Sequence, residues 1–158
     1  MMGVGKTTIG KRLAKKLNYN FVDVDKIIEK KEGQSISLIF KNKGESYFRK
    51  IERDLTIIEL KKINNVISLG GGAFLNSSIR KYVKKHSVSF WLDVPIETIL
   101  KRLKKSKNRP LLDKEKTDGT IKKIYFVRKK FYNQANYRIK CKTLTLKQII
   151  NEILKLYE

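Results

Sequence analysis

The residues Met2-Gly3-Val4-Gly5-Lys6-Thr7-Thr8, at the front of the chain, constrain what the rest can fold into. Gly-x-Gly-Lys-Thr is the second half of the phosphate-binding pattern G-x-x-x-x-G-K-[ST]. Glycines let successive backbone N–H groups curl round an anion, and the helix that follows offers its positive N-terminal end. Lys6 then reaches the β- and γ-phosphates, and the Thr7 hydroxyl ligates the Mg²⁺ that bridges them. Gly3, Val4, Gly5 and Thr8 complete the expected nucleotide-binding loop. Ile9, Leu13 and Leu17 follow at helical spacing, the context that the motif requires. A glycine turn before a basic amphipathic helix is the plainer alternative, and the context favours the phosphate loop. The first glycine of the motif would fall one residue before Met1.

Periodicity extends this reading to an α/β domain with a mostly parallel sheet flanked by helices. A helix over 6–17 leads to a short buried strand, Asn20-Phe21-Val22-Asp23-Val24-Asp25, ending in two acids. Helices follow over 26–31 and from a Ser35 cap to Gly44, then a long one over 45–63 with Phe48, Ile51, Leu55 and Ile58 on its buried stripe. Asn65–Leu69 is a strand running into Gly70-Gly71-Gly72. A helix over 77–85, a strand over 88–92 and a helix opened by Pro95 come next. Residues 106–119 are polar and non-periodic, a candidate mobile loop. A helix over 120–133, a strand over 137–141 and a helix over 145–157 complete a single domain of 158 residues with four strands.

Composition excludes several classes. One cysteine, Cys141, rules out an internal disulfide or a cysteine zinc cage, and one histidine, His86, argues against histidine-centred metal or triad chemistry. No apolar run is long enough to span a membrane and no signal-peptide pattern is present, so we expect a cytoplasmic chain. The net charge of +22 raises nucleic acid as a partner. The excess is mostly lysine, spread along the chain beside abundant Ile and Asn, residues that share A/T-rich codons. A solvated lysine surface that also attracts anionic substrates is the simpler reading. The arginines are more informative, because a guanidinium offers a planar fork that lysine cannot imitate.

In open parallel sheets, ligands sit beyond the carboxyl ends of strands. The phosphate loop, Asp23-x-Asp25 and Gly70-Gly71-Gly72 all fall at such ends. Acids at i and i+2 of an extended segment point the same way, so one can serve Mg²⁺ and the other a substrate hydroxyl. A solvated turn with Asp25 as helix cap competes evenly. Three glycines after a strand allow close approach of a ligand to the backbone.

Met2–Gly10, Phe21-Val22-Asp23-Val24-Asp25, Gly44-Glu45-Ser46-Tyr47-Phe48-Arg49-Lys50-Ile51-Glu52, Leu69-Gly70-Gly71-Gly72-Ala73 and Arg109-Pro110-Leu111-Leu112 together resemble shikimate kinase, in that family's order and through essentially the whole chain. The resemblance implies transfer of the ATP γ-phosphoryl to the 3-hydroxyl of shikimate, with Mg²⁺ as cofactor. It implies a monomer acting on shikimate and ATP, with no nucleic-acid or membrane partner. Lys6, Asp25 and Arg109 would be catalytic, with Asp25 on the accepting hydroxyl and Arg109 closing over the phosphates from a lid near 106–119. Thr7 and Asp23 would hold the metal. Arg49 and Arg128 would grip the shikimate carboxylate, and Gly70, Gly71 and Gly72 would meet the ring, within a substrate region centred on residues 25–53. Arg102 would lie near the adenine. Glu52 reads as a support for Arg49, one turn away. Another small-metabolite kinase such as a gluconate kinase, a nucleic-acid-binding relative, and an inactive truncated form are the competing readings.

A phosphate loop is delivered by a preceding strand, which in folds of this kind lies in the middle of the sheet. Only Met1 and Met2 stand ahead of Gly3. Five apolar side chains at about 1.5–3 kcal/mol each match the net stability of a domain, about 5–15 kcal/mol. We therefore expect an active protein to begin upstream of Met1, and the 158-residue chain to be poorly soluble or inactive.

Overall fold

A computed structural model describes residues 1–105 and 118–158. The lid assigned near 106–119 lies almost wholly outside the described residues, and Arg109 with it.

Helix α1 (Lys6–Leu17) starts from Gly5 and stops at Asn18, both in the left-handed region, and buries Ile9, Leu13 and Ala14. Each fully buried Ile or Leu stabilises by about 1.5–3 kcal/mol. Strand β1 (Asn20–Asp23) is shorter than its sequence suggested, because helix α2 (Val24–Glu32) begins at once. Val24 and Ile28 are completely buried and anchor that helix one turn apart. Helix α3 (Ile36–Leu60) is capped by Ser35, whose hydroxyl accepts from the Leu38 N–H, and is kinked at Gly44, where φ is 80° and ψ 170°. The kink is the boundary expected between two helices.

The inward face of α3 keeps Phe48 and Leu55 of the expected stripe, with Ile51 packed partly against them, but adds polar residues and loses Ile58. Phe48, Glu52, Leu55, Thr56 and Glu59 are buried, whereas Ile58 is 50% exposed. Spacings of three and four residues fit either set. Packing widens the stripe towards Glu52, Thr56 and Glu59, because that side of the helix borders the charged site described below.

Strand β2 (Asn65–Ser68) leads through the glycine run to a 3₁₀ turn (Ala73–Leu75) and helix α4 (Ser77–His86), capped by the Asn76 side chain. Strand β3 (Phe90–Asp93), helix α5 (Ile96–Lys105), helix α6 (Asp118–Tyr132), strand β4 (Tyr137–Lys140) and helix α7 (Leu146–Tyr157) complete the described fold. A capping box at Thr145 and Gln148 opens α7.

The strands form two parallel pairs among the described residues. β1 lies beside β2 with Asn20 opposite Asn65 and Asp23 opposite Ser68; β3 lies beside β4 with Phe90 opposite Tyr137 and Asp93 opposite Lys140. Helices flank both pairs, as expected for an α/β fold. The core divides accordingly. One cluster, around Ile79, Trp91, Ile99 and Tyr132, packs under α4–α6; a second joins Ile9 and Leu13 to Ile139 and Ile150; a third joins Val24 and Ile28 to Ile39 and Phe48.

Candidate active site

Gly3 and Gly5 have φ of 75° and 91°, backbone that residues with a Cβ rarely adopt. They turn the chain so that α1 begins at Lys6 with its first N–H groups towards the loop. The Lys6 ammonium folds back on the loop and donates to the Met1 carbonyl at 2.8 Å. The Thr7 hydroxyl donates to Asp23 Oδ2 at 3.0 Å, so the end of β1 and the start of α1 join at the two residues expected to hold a metal.

Asp23 and Asp25 do not lie on one extended face. Asp23 is extended (φ −111°, ψ 108°) and stands at the N-cap of α2; Asp25 is on that helix's first turn. The buried Val24 side chain between them pins the change of conformation. A first helical turn is itself a favourable place for a carboxylate. Burial raises the Asp25 carboxyl above its ordinary range, with Lys6 pulling it down and Asp23 pushing it up.

The glycine run after β2 is where the site converges. A methyl group on Gly70 would lie 2.5 Å from Glu52 Oε1 and 2.6 Å from Asp25 Oδ1. One on Gly71 would lie 3.0 Å from Arg128 Nη1, and one on Gly72 2.5 Å from Arg49 Nη1. Each glycine thus makes room for a different charged side chain. Arg49 donates to Glu52 Oε2 at 2.7 Å and to Glu45 Oε1 at 3.1 Å, and its guanidinium lies 5.1 Å from the Phe48 ring centre. That leaves a fork held from two sides and backed by an aromatic face.

Glu52 supports Arg49, as expected from its place one turn away, and is buried at the centre of the site as well. It is 2% exposed, shares Gly70 with Asp25, and burial raises its carboxyl against the pull of Arg49. Tyr132 is not among the residues expected in the site, although it stands four residues after Arg128. Its hydroxyl donates to the Gly71 carbonyl, and its ring packs on Trp91. The usable signal was the i, i+4 pair, which puts both side chains on one helix face.

Arg102 lies on the far side of the phosphate loop and donates to the Gly3 carbonyl at 3.2 Å. It borders an open cleft of about 400 Å³ lined by Gly3, Gly5, Thr8, Leu103 and Leu144. Cys141 edges that cleft; burial pushes its thiol up to about 11, so it is inert at neutral pH. No helix among the described residues is long and apolar enough to cross a membrane.

The site therefore offers a loop for a phosphate chain and a hydroxyl–carboxylate pair for a divalent cation. Beyond them, two arginines and two carboxylates converge on a backbone floor. That second subsite suits a small ligand with one anionic group and several hydroxyls.

The pattern of one protein family, described as shikimate kinase, matches residues 2–158. A shikimate kinase of Persephonella marina is 45% identical over 153 residues, covering 97% of this chain and 92% of that protein. One from Aquifex aeolicus is 39% identical over 150 residues, covering 95% and 88%. Among solved structures, the shikimate kinase of Acinetobacter baumannii in complex with shikimate superposes with a TM-score of 0.91 at 33% identity, covering 99% of this chain and 88% of that one. The crystal structure of the Aquifex aeolicus enzyme gives 0.85 at 39% identity, covering 98% and 90%.

Proposed function

The chain belongs to the shikimate kinase family, and from that premise we propose how its residues share out the reaction. The reaction is transfer of the ATP γ-phosphoryl group to the 3-hydroxyl of shikimate, in aromatic amino-acid biosynthesis.

The observation that carries the assignment of roles is the convergence of Asp25, Arg49 and Arg128 on three consecutive glycines beside the phosphate loop. Gly3 to Thr8 bind the phosphates through backbone N–H groups, and Lys6 neutralises the γ-phosphate. The Thr7 hydroxyl and Asp23 carboxylate, 3.0 Å apart, are hard oxygen donors of the kind that Mg²⁺ takes while keeping several waters. Bound there, the ion would neutralise charge on the phosphates. Arg102 borders the adenine side of the cleft.

In the second subsite Arg49 and Arg128 hold the shikimate carboxylate, Arg49 through its bidentate fork. Gly70, Gly71 and Gly72 let the ring approach the backbone. Asp25 accepts a hydrogen bond from the 3-hydroxyl and takes its proton as the hydroxyl oxygen bonds to the γ-phosphorus. The bond to the β,γ-bridging oxygen breaks, and ADP leaves. The raised affinity of Asp25 for a proton suits this role, because a base nearer neutrality is the better acceptor. Arg109, outside the described residues, supplies further positive charge to the phosphoryl group from the lid. A monomer in the cytoplasm, where ATP is available, is the proposed setting.

A coupled ADP-release assay with shikimate, gluconate and a nucleoside monophosphate as separate acceptors tests the reading. Turnover with shikimate alone is expected. Equal turnover with gluconate, which also carries a carboxylate, would show that the subsite does not select the shikimate ring.

A further inference from the structure

Helix α4 carries one cationic side chain that the reaction scheme does not use. Arg80 follows Ile79 and stands one turn before Val83, and these two apolar residues are buried and fix α4 to the core. The Asn76 side chain caps the same helix by accepting from the Ser78 and Ile79 N–H groups. Arg80 therefore projects from a firmly seated helix.

Its half-buried guanidinium makes two contacts at once. Nη1 donates to the Phe74 carbonyl at 2.8 Å, in the 3₁₀ turn that follows the glycine run. The central carbon lies over the Phe131 ring, 4.8 Å from the ring centre. Phe131 belongs to α6, the helix that carries Arg128 and Tyr132. A guanidinium donates from its edge while its face stays free for an aromatic ring. A lysine ammonium has no flat face and could keep only one of the two contacts well.

Two ties thus join α6 to the backbone floor, on either side of Gly72 and Ala73. The Tyr132 hydroxyl donates to the Gly71 carbonyl, and Arg80 links Phe131 to the Phe74 carbonyl. Arg128 stands three residues before Phe131 and four before Tyr132, so all three share one helix face. Its Nη1 lies 3.0 Å from where a methyl on Gly71 would stand. With the Tyr132 tie alone, α6 could pivot about Gly71 and carry Arg128 off the floor. The second tie opposes that rotation, and small displacements of a binding group are costly.

We propose that Arg80 is a positioning residue for shikimate: through Phe131 it holds α6 so that Arg128 meets the shikimate carboxylate above Gly71. The inference rests on the reading of Arg128 as a carboxylate contact.

Steady-state kinetics of variants at both ends of the tie test it. Arg80→Ala and Phe131→Leu should each raise KM for shikimate roughly 5- to 10-fold, with kcat and KM for ATP unchanged. Arg80→Lys should fall between these and the unaltered chain. Phe131→Tyr keeps the aromatic face and should leave KM as it was. Once Arg128→Ala is present, adding Arg80→Ala should cost no further affinity, because the tie acts through Arg128. Where Arg80→Ala fails to fold, Phe131→Leu against Phe131→Tyr carries the test. A lowered Tm with KM for shikimate unchanged would make Arg80 a structural residue only and overturn the proposal. Additive losses in the double variant would overturn it as well. A raised KM in Arg128→Ala but not in Arg80→Ala overturns the role of Arg80 alone. An unchanged KM in Arg128→Ala overturns the reading of Arg128, and with it the object that Arg80 positions.

Discussion

Two glycine-rich loops meet in this molecule, and they use glycine for different physical reasons. In the phosphate loop, Gly3 and Gly5 lie at φ of 75° and 91°, and no charged site side chain crowds them: a methyl on Gly5 would find its nearest atom at 3.8 Å, and one on Gly3 would meet only apolar side chains, Leu103 nearest at 3.3 Å. After β2 none of Gly70, Gly71 and Gly72 is left-handed, yet a methyl on any of them would lie within 3.0 Å of a charged site side chain. The first loop needs freedom of the backbone, and the second needs the absence of a side chain. The first shapes a receptor made of its own N–H groups. The second is a floor on which residues from α2, α3 and α6 assemble.

The largest test of the comparison removes the chemistry from the second loop while sparing the first. Asp25→Asn should lower kcat/KM by about 10²–10⁴-fold and leave ATP affinity unchanged. A loss below tenfold in steady-state kinetics would remove Asp25 from the role of base.

A matched pair of alanine substitutions then separates the two uses of glycine. Gly72→Ala pushes a methyl into the guanidinium of Arg49, which Glu45 and Glu52 hold in place. Loss of charge-assisted hydrogen bonds worth about 1.5–3 kcal/mol should weaken shikimate binding roughly 10- to 100-fold, with nucleotide binding spared. Gly5→Ala should do the reverse, since a strained left-handed residue costs on the order of 1–3 kcal/mol and deforms the phosphate loop. Calorimetric titration of both variants with both ligands reads the pattern. If both variants weaken the same ligand, the distinction between the loops fails.

Arg49→Lys keeps the charge and removes the fork. Shikimate affinity should fall by about 1.5–3 kcal/mol at most, with ATP affinity unchanged. Weakened ATP binding with intact shikimate binding would place Arg49 in the other subsite.

Tyr132→Phe is a smaller perturbation of the same floor, because it deletes one hydrogen bond to the Gly71 carbonyl, worth about 1 kcal/mol. KM for shikimate should rise about fivefold at constant kcat. An unchanged KM would show that Gly71 holds its place without the tyrosine.

The pH profile sharpens the picture last. Burial raises the Asp25 carboxyl, so its proton is retained further up the scale than in an unfolded chain. The acid limb of kcat/KM should therefore lie above the ordinary aspartate value of about 3.9. The linked stability runs the other way: a carboxyl with a raised folded value disfavours the fold as pH rises through that value. A limb at or below 3.9, in a profile that Glu52→Gln leaves unmoved, would contradict the burial of Asp25.

Much of this protein could be read from its residues because the signals are local. Gly-Val-Gly-Lys-Thr dictates a left-handed turn into a helix wherever it occurs, and α1 spans Lys6–Leu17 as its spacing and Asn18 foretold. Ser35, Gly44 and Thr145 mark helix boundaries through caps and dihedrals that involve only near neighbours. Asp25 and the glycine run come together through the rule that ligands sit beyond strand ends, whereas Arg49 and Arg128 join them through the family resemblance, since nothing local links residues so far apart in sequence. Tertiary structure decided what depends on distant partners. It turned Val24 and Asp25 into a helix because Val24 is buried against α3, and it widened the buried stripe of α3 to Glu52 and dropped Ile58, because Glu52 has Arg49 and Gly70 to meet. It also decided that the described strands stand as two pairs. A strand's pattern tells which of its faces are buried, but not which edge finds a neighbour, and that depends on the whole sheet.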